Sequence, residues 1–305
     1  MIQAERIWMD GKLVPYAEAT VHVGAFGLHY GLGVFEGVRC YRRANGQAAI
    51  FRLKEHIDRL FDSARVCEME IPHSRTDLMD ACVQTVRANR LSEAYIRPLA
   101  FTGAGALGIG ARQNPIHVVV LAFAWDAVLG AEAANKGIRA HVSSFVRGHP
   151  NATLNKAKIA GQYVSSVLVK RDSQRLGLEE AILLDAAGNV AEGSAQNLFM
   201  VKDGVLWTPP TDLPILPGIT RSSVLTLAGE LGLPLRERAF PRDSLYLADE
   251  VFFTGTATEL TPVRQIDGRP IGEGQPGPIT RRIQQAFFEV ARGTGGSHPD
   301  WLTAV

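Results

Sequence analysis

The chain has 305 residues, 46% hydrophobic and 21% charged, with 32 basic residues against 31 acidic. That length exceeds what one core usually supports and predicts two domains or one large one. The near-neutral balance leaves no global field to draw the protein to nucleic acid or to a membrane. Cys40, Cys67 and Cys82 are widely spaced with no CxxC, which excludes a disulfide framework and a zinc site and favours a reducing compartment. The opening MIQAERIWMDGK lacks the apolar run of a signal peptide, and no stretch reaches the ~20 apolar residues that span a bilayer. The expectation is a soluble cytoplasmic protein.

The first part reads as hairpins. RIWM, Asp10-Gly11 and KLVPY form strand, tight turn and strand, and VFEGVRCYRR, Asn45-Gly46 and AAIFRL repeat the device. From Leu53 the period becomes helical, with Leu53, Ile57, Leu60, Phe61 and Ala64 on one face. Ser74 or Thr76 caps a second helix through Met79, Val83 and Val86. AYIRPLAF and IHVVVLAFAW are strongly β-prone. A small-residue-rich stretch, 126–137, reads as an interdomain linker between a domain at 1–125 and another at 138–305.

The second part opens with the strand IRAHVSSFV, the lysine-bearing stretch Asn155 to Tyr163, and a helix to about Arg175. A meander follows: EEAILLD, VAEGSAQNLFMV and VLWTP, with turns at Ala187-Gly188-Asn189 and Asp203-Gly204. Pro217-Gly218 opens a helix through Leu231, with proline at an early helical position. RDSLYLA is a short helix, EVFFTG a strand, Asp267-Gly268 a hairpin turn, and Pro278 to Arg292 a last helix. Strands and helices mix without regular alternation, so the fold class is α+β in two domains.

Several stretches could carry chemistry. Lys156 and Lys158 stand among small residues ahead of Tyr163, and desolvating a lysine there favours the neutral, nucleophilic amine. Taken alone, the pair reads most simply as a solvated helix start. Gly103 to Gly108 matches GxGxxG, but IGARQNP follows it and cannot form the helix that would hold a pyrophosphate; it reads as a loop near a site. The eight histidines show no metal-ligand spacing. Leu216-Pro217-Gly218-Ile219-Thr220-Arg221 places free backbone N–H groups at a helix start, a natural anion cradle. Thr254-Gly255-Thr256-Ala257-Thr258 offers a second such element, and Arg59 a charge. Glu192, flanked by small residues, is either a solvated turn acid or a partner for a cationic ring nitrogen.

Lys158 with Tyr163, Glu192-Gly193-Ser194 with Asn197, LPGITR and Gly255-Thr256-Ala257 occur in that order, after HYG (29–31), VFEGVRCY (34–41) and YIRPL (95–99). This set, spanning nearly the whole chain, resembles the branched-chain amino-acid aminotransferases of pyridoxal-phosphate fold type IV. The resemblance implies a smaller α/β sandwich domain and a larger, mixed, β-barrel-like domain with helices. It implies pyridoxal 5′-phosphate as cofactor, and ping-pong transfer between L-branched-chain amino acids and 2-oxoglutarate, giving branched 2-oxo acids and L-glutamate. Lys158 matches the internal-aldimine lysine, Tyr163 the tyrosine on the cofactor's O3′, and Glu192 the acid facing the pyridine nitrogen. Arg59, Ile219, Thr220 and Thr256 match the phosphate grip. Thr256 and Ala257, with Tyr95, match the holder of the substrate carboxylate. Tyr30, Phe35, Gly37 and Trp125 match an apolar side-chain pocket, and Arg97 the arginine that admits a distal carboxylate. Tyr30 and part of the 103–110 loop would come from the neighbouring subunit, implying a homodimer or higher homo-oligomer.

The chain departs from the family pattern at Val128, where a tyrosine is usual, at Gln196, which replaces a glutamate, and at Lys156, an extra lysine. A D-amino-acid aminotransferase, an (R)-amine transaminase, an aminodeoxychorismate lyase or a non-catalytic metabolite-binding relative are the alternatives. VFEGVR, Arg97 and the Gly-Thr-Ala element argue against the first three, and intact Lys158, Tyr163, Glu192 and Arg59 against the last.

Overall fold

The computed structural model describes residues 4–124, 132–295 and 297–305. The chain forms two compact units, one of Met1–Trp125, Ala157–Tyr163 and Val290–Val305, the other of Asp126–Lys156 and Val164–Glu289. The expected single segment 138–305 is therefore split: the stretch holding Lys158 and the C-terminus belong to the first unit. Sequence order hides this, because both segments join that unit through long-range pairing.

The first unit is built on one sheet containing β1 (Arg6–Met9), β2 (Lys12–Pro15), β3 (Gly33–Phe35), β4 (Val38–Arg42), β5 (Ala48–Phe51), β6 (Ala94–Thr102) and β7 (Ile116–Phe123). Its order runs from the C-terminal strand Leu302–Ala304 through β5, β4, β6, β7 and β1 to β2, with β3 also on β6. The Asp10-Gly11 turn has positive φ at both residues, as a two-residue hairpin requires. VFEGVRCYRR, expected as one strand, is broken into β3 and β4, and both halves pair with β6. The break falls at Glu36-Gly37.

Between Ala25 and Gly31 lies α1 (Phe26–Tyr30). Two longer helices cover the sheet, α2 (Leu53–Val66) and α3 (Arg75–Ala88), the latter opened by a capping box between Ser74 and Asp77. Leu53, Ile57 and Leu60 of α2 and Leu78, Cys82 and Val86 of α3 share a core with Val34, Val38, Ile96 and Val120. Burying each large side chain there stabilises by roughly 1.5–3 kcal/mol. His56, Arg59 and Ser63 fall at i, i+3 and i+7 of α2, so one register carries three polar side chains together along that helix.

In the second unit, α4 (Ala133–Lys136) shows that the expected linker holds a helical turn. The strands are β8 (Ile138–Val146), β9 (Glu180–Leu184), β10 (Val190–Gly193), β11 (Asn197–Lys202), β12 (Val205–Thr208), β13 (Leu235–Glu237), β14 (Glu250–Gly255), β15 (Glu259–Ile266) and β16 (Arg269–Pro270). They make one mixed sheet in the order β10-β9-β8-β15-β14-β11-β12-β13, with β16 on β15. Parallel pairs β8–β9, β8–β15 and β12–β13 sit among antiparallel ones. Helices α5 (Tyr163–Arg175), α6 (Ile219–Glu230), α7 (Arg242–Tyr246) and α8 (Pro278–Ala291) complete the series. Gly218 is the N-cap of α6, so Pro217 lies just outside the helix rather than in its first turn. Among the described residues no helix is long and apolar enough to cross a membrane.

Candidate active site

In the first unit the segment Ala157–Tyr163 is fastened at two points, Lys158 and Gly161. The Lys158 backbone N–H donates to Ser63 Oγ at 3.0 Å, and its carbonyl accepts from the Phe35 N–H at 3.1 Å. Gly161 donates its N–H to the Gly31 carbonyl at 3.0 Å. A methyl group on Gly31 would lie 2.7 Å from Gly161 Cα, so the two backbones meet where only glycine fits. From this fixed base the Lys158 amine donates to Tyr163 Oη at 2.5 Å. The amine also lies 4.8 Å from the Phe35 ring centroid and 4.9 Å from that of Tyr163, so one flank of it is aromatic.

Beneath this lies a buried polar network that the sequence reading missed. Glu36 is wholly buried and accepts from Arg59 through both oxygens, Nε to Oε1 at 2.6 Å and Nη2 to Oε2 at 2.9 Å. His56, 1% exposed, meets Glu36 Oε2 through Nδ1 at 2.7 Å. Burial works to raise the Glu36 carboxyl, but the Arg59 charge and the His56 contact reverse it and hold the group well below the usual carboxylate range. For His56 burial dominates and lowers the ring below its ordinary value, so the ring is neutral and donates from Nδ1. Arg59 thus reaches its place as one half of a forked ion pair. The signal in the sequence was the acid itself, inside an apolar strand motif.

Phe35, Gly37, Tyr95 and Arg97 are brought together by β3, β4 and β6. The Arg97 guanidinium stands 4.8 Å from the Phe35 ring and 5.4 Å from the Tyr95 ring, and Nη2 donates to Tyr95 Oη at 3.4 Å. Among the described residues its buried Nε has no hydrogen-bond partner. A Cβ on Gly37 would fall 1.9 Å from Tyr95 Oη, so the tyrosine occupies the space a side chain would need. Tyr30 is 48% exposed, and its hydroxyl donates to the Leu107 carbonyl at 2.7 Å. Asn114 makes two further bonds to Ala106, so the 103–110 stretch is a pinned loop between β6 and β7 with no pyrophosphate-binding helix after it. Trp125 and Val128 lie outside the described residues.

The second unit holds the remaining candidates. Glu192, 5% exposed near the end of β10, has Arg147 Nη2 at 2.9 Å from Oε1. Its Oε2 accepts from Asn197 Nδ2 and from the Leu216 N–H, each at 3.1 Å. Each of these contacts is a donor, which suits a carboxylate in its ionised form. Arg147 went unnoticed in the sequence because 45 residues separate it from the acid. Gln196 donates to Glu180 Oε2 at 2.8 Å, beside Lys170 at 3.0 Å, so an amide rather than an acid stands next to a buried carboxylate.

Among the described residues no side chain caps the start of α6, where Ile219 and Thr220 stand. Thr256 and Ala257 form the turn between β14 and β15, flanked by Thr254 and Thr258, whose buried hydroxyls have no hydrogen-bond partner among the described residues. Lys156 donates to the carbonyls of Leu213 at 2.6 Å and Ile215 at 3.2 Å. Burial draws its amine below the usual lysine range, against an opposite pull from Glu192 and Asp212. The two lysines are thereby separated: Lys158 meets a tyrosine hydroxyl, Lys156 a pair of backbone carbonyls. Among the described residues no cluster of three potential metal ligands occurs.

A family model described as Amino-transferase class IV matches residues 33–266. The branched-chain-amino-acid aminotransferase of Pseudomonas aeruginosa is 48% identical over 299 residues, covering 98% of this chain and 97% of that protein. The crystal structure of the Escherichia coli branched-chain amino acid aminotransferase superposes with a TM-score of 0.96 at 48% identity, covering 98% and 99% of the two chains. That of the Thermobaculum terrenum branched-chain amino acid aminotransferase, in its PLP-bound holo-form, gives 0.92 at 33% identity, covering 100% of this chain and 99% of that one. The chain is therefore a member of the class IV aminotransferases, fold type IV, and within them belongs to the branched-chain-amino-acid aminotransferase family.

Proposed function

We propose that the protein transfers amino groups between L-leucine, L-isoleucine or L-valine and 2-oxoglutarate, with pyridoxal 5′-phosphate as its cofactor. The observation that carries this reading is the Lys158 amine held on Tyr163 Oη at 2.5 Å, on a backbone pinned by Ser63 and Phe35. The residues present fit the cofactor. An aldehyde calls for such an amine, and a cationic ring nitrogen calls for a buried acid such as Glu192. A phosphate calls for an uncapped helix start and hydroxyls without partners, as at Ile219, Thr220 and the Thr254–Thr258 turn.

When bound, the cofactor supplies an electron-accepting ring for the pair released at the substrate's α-carbon. Lys158 Nζ anchors the cofactor between turnovers and carries the α-proton during them. Tyr163 aims that amine, and Phe35 shields its flank from water. Glu192, fixed by Arg147 and Asn197, keeps the ring nitrogen protonated. Arg59, Ile219, Thr220 and Thr256 hold the phosphate, and the Glu36–His56 network sets the angle of Arg59. Tyr95, Thr256 and Ala257 take the substrate's α-carboxylate. Phe35, Gly37, Tyr30 and Trp125 line an apolar side-chain pocket, and Arg97 pairs with the distal carboxylate of 2-oxoglutarate. Arg97 already lies against two aromatic rings, which compensates part of its desolvation when the pocket is empty of acid.

Tyr30 and the loop it pins serve the neighbouring subunit's site in a homodimer, and the enzyme works in the cytoplasm. The test is absorbance with glutamate formation. The wild type should show the cofactor's near-visible band and make L-glutamate from L-leucine and 2-oxoglutarate, and Lys158→Ala should lose both. Loss of the band in Lys156→Ala with retention in Lys158→Ala would refute the assignment.

A further inference from the structure

The four residues before Gly218's neighbour Pro217, 213–216, form a strap whose backbone carbonyls are each taken by a side chain from elsewhere. Lys156 Nζ donates to Leu213 O at 2.6 Å and to Ile215 O at 3.2 Å. Arg147 Nε donates to Pro214 O at 3.4 Å, and Asn197 Nδ2 to Leu216 O at 2.9 Å. Arg147 and Asn197 are the same two side chains that contact Glu192, and the strap's own Leu216 N–H donates to Glu192 Oε2. Two residues beyond the strap the chain enters α6 through Gly218, where a Cβ would lie 2.0 Å from Asn197 Oδ1. One short segment therefore touches the acid at one end and leads into the uncapped helix start at the other. Of the three side chains that grip it, Lys156 is the one that bridges two of its carbonyls.

We propose that Lys156 is a positioning residue, whose ammonium clamps the 213–216 strap and thereby sets both the Leu216 N–H against Glu192 and the entry of α6. This explains the extra lysine without giving it a role in proton transfer. A lysine suits the place because its ammonium offers three donors, enough to bridge two carbonyls on one side of a turn. No amine chemistry is available to it there, since both carbonyls are amide oxygens. The inference rests on the reading of Glu192 and α6 as cofactor-binding.

The test uses the full-length protein and Lys156→Met, which keeps an unbranched apolar stem and removes the donors. Lys156→Gln, which keeps an amide donor, is the second variant, and Lys156→Arg restores a forked one. Pyridoxamine 5′-phosphate binding is measured by equilibrium dialysis, and the absorbance of the bound ligand is followed against pH. Because Lys156 is exposed along much of its length, the expected loss in Lys156→Met is moderate, about fivefold in affinity, with the absorbance titration displaced. Lys156→Arg should recover most of both, and Lys156→Gln part. If Lys156→Met does not fold, the Gln and Arg variants carry the comparison. Affinity and titration within twofold of wild type in every folded variant overturn the inference. Glu192→Gln separates the two levels. If it displaces the titration while the Lys156 variants do not, the clamp alone is wrong. If it changes nothing, or if wild type binds no pyridoxamine 5′-phosphate, the cofactor reading falls and the clamp with it.

Discussion

Replacing Glu36 with glutamine tests the network beneath Arg59. The amide keeps the shape but offers one acceptor oxygen instead of two, and it turns an NH2 group toward either Arg59 or His56, both of which are donors. The Glu36 side chain is fully buried and that of Arg59 is 12% exposed, so the guanidinium cannot recover its lost partner from bulk water. Breaking a buried pair from one side costs about 3–5 kcal/mol, and the slight exposure of Arg59 favours the lower end. At roughly 2–4 °C per kcal/mol, the range for domains of about 150–250 residues, a loss of about 3 kcal/mol should lower the midpoint of thermal unfolding at pH 7.5 by roughly 6–12 °C. Circular dichroism on protein freed of cofactor measures it without a contribution from ligand binding. The companion is Glu36→Leu with Arg59→Met, which removes both charges and should cost clearly less than the sum of the single changes. A midpoint within 2 °C of wild type in Glu36→Gln, or additive losses in the double variant, would refute the reasoning.

Acid should act on the same network in two stages. A group whose folded pKa is depressed adds stability above its unfolded pKa and loses it as pH falls, and both groups here are of that kind. The His56 contribution should fade below about pH 6.5 and that of Glu36 below about pH 4.3, so His56→Gln flattens the first stage of a stability–pH curve and Glu36→Gln the second. Gln196→Glu places a second acid beside Glu180, now 2.8 Å from the amide, and should destabilise by about 2–3 kcal/mol at pH 8 and by less at pH 5, read from urea unfolding. Gly37→Ala must displace Tyr95 and should lower kcat/KM for L-leucine about 10–100-fold, with no comparable change in cofactor affinity. Tyr163→Phe removes the hydroxyl that accepts from Lys158 and should lower kcat at least about tenfold while the cofactor band persists.

Local chemistry was legible in the sequence. The Asp10-Gly11 and Asn45-Gly46 hairpins follow from residues that accept positive φ, and α2 and α3 follow from a helical apolar period with a serine cap. The resemblance supplied Lys158, Tyr163, Glu192 and Arg59 as a set. Contacts between distant positions could not be read. The break in VFEGVRCYRR is invisible locally because its cause, the Glu36 contact with Arg59 and the Tyr95 hydroxyl over Gly37, comes from residues 23 and 58 positions away. Arg147 carries no motif of its own. The C-terminal strand Leu302–Ala304 is too short for any period and owes its existence to pairing with β5.

The contact between Gly31 and Gly161 bears on how this enzyme could be altered. Saturation libraries aimed at the end of α1 will return almost nothing at Gly31, where a Cβ meets Gly161 Cα at 2.7 Å on a positive-φ backbone, and will favour small residues at Gly161, where a Cβ stands 3.1 Å from the Gly31 carbonyl. At Gly37 the obstacle is a side chain, since a Cβ there falls 1.9 Å from Tyr95 Oη, so a change at Gly37 has to be paired with one at Tyr95. Diversity is better invested in Phe35 and Arg97, whose guanidinium lies 4.8 Å from the Phe35 ring centroid, so that the two can be exchanged together for pairs of matched volume and charge. The places that tolerate redesign are thus set less by distance from the amine than by whether a backbone stands behind the residue being changed.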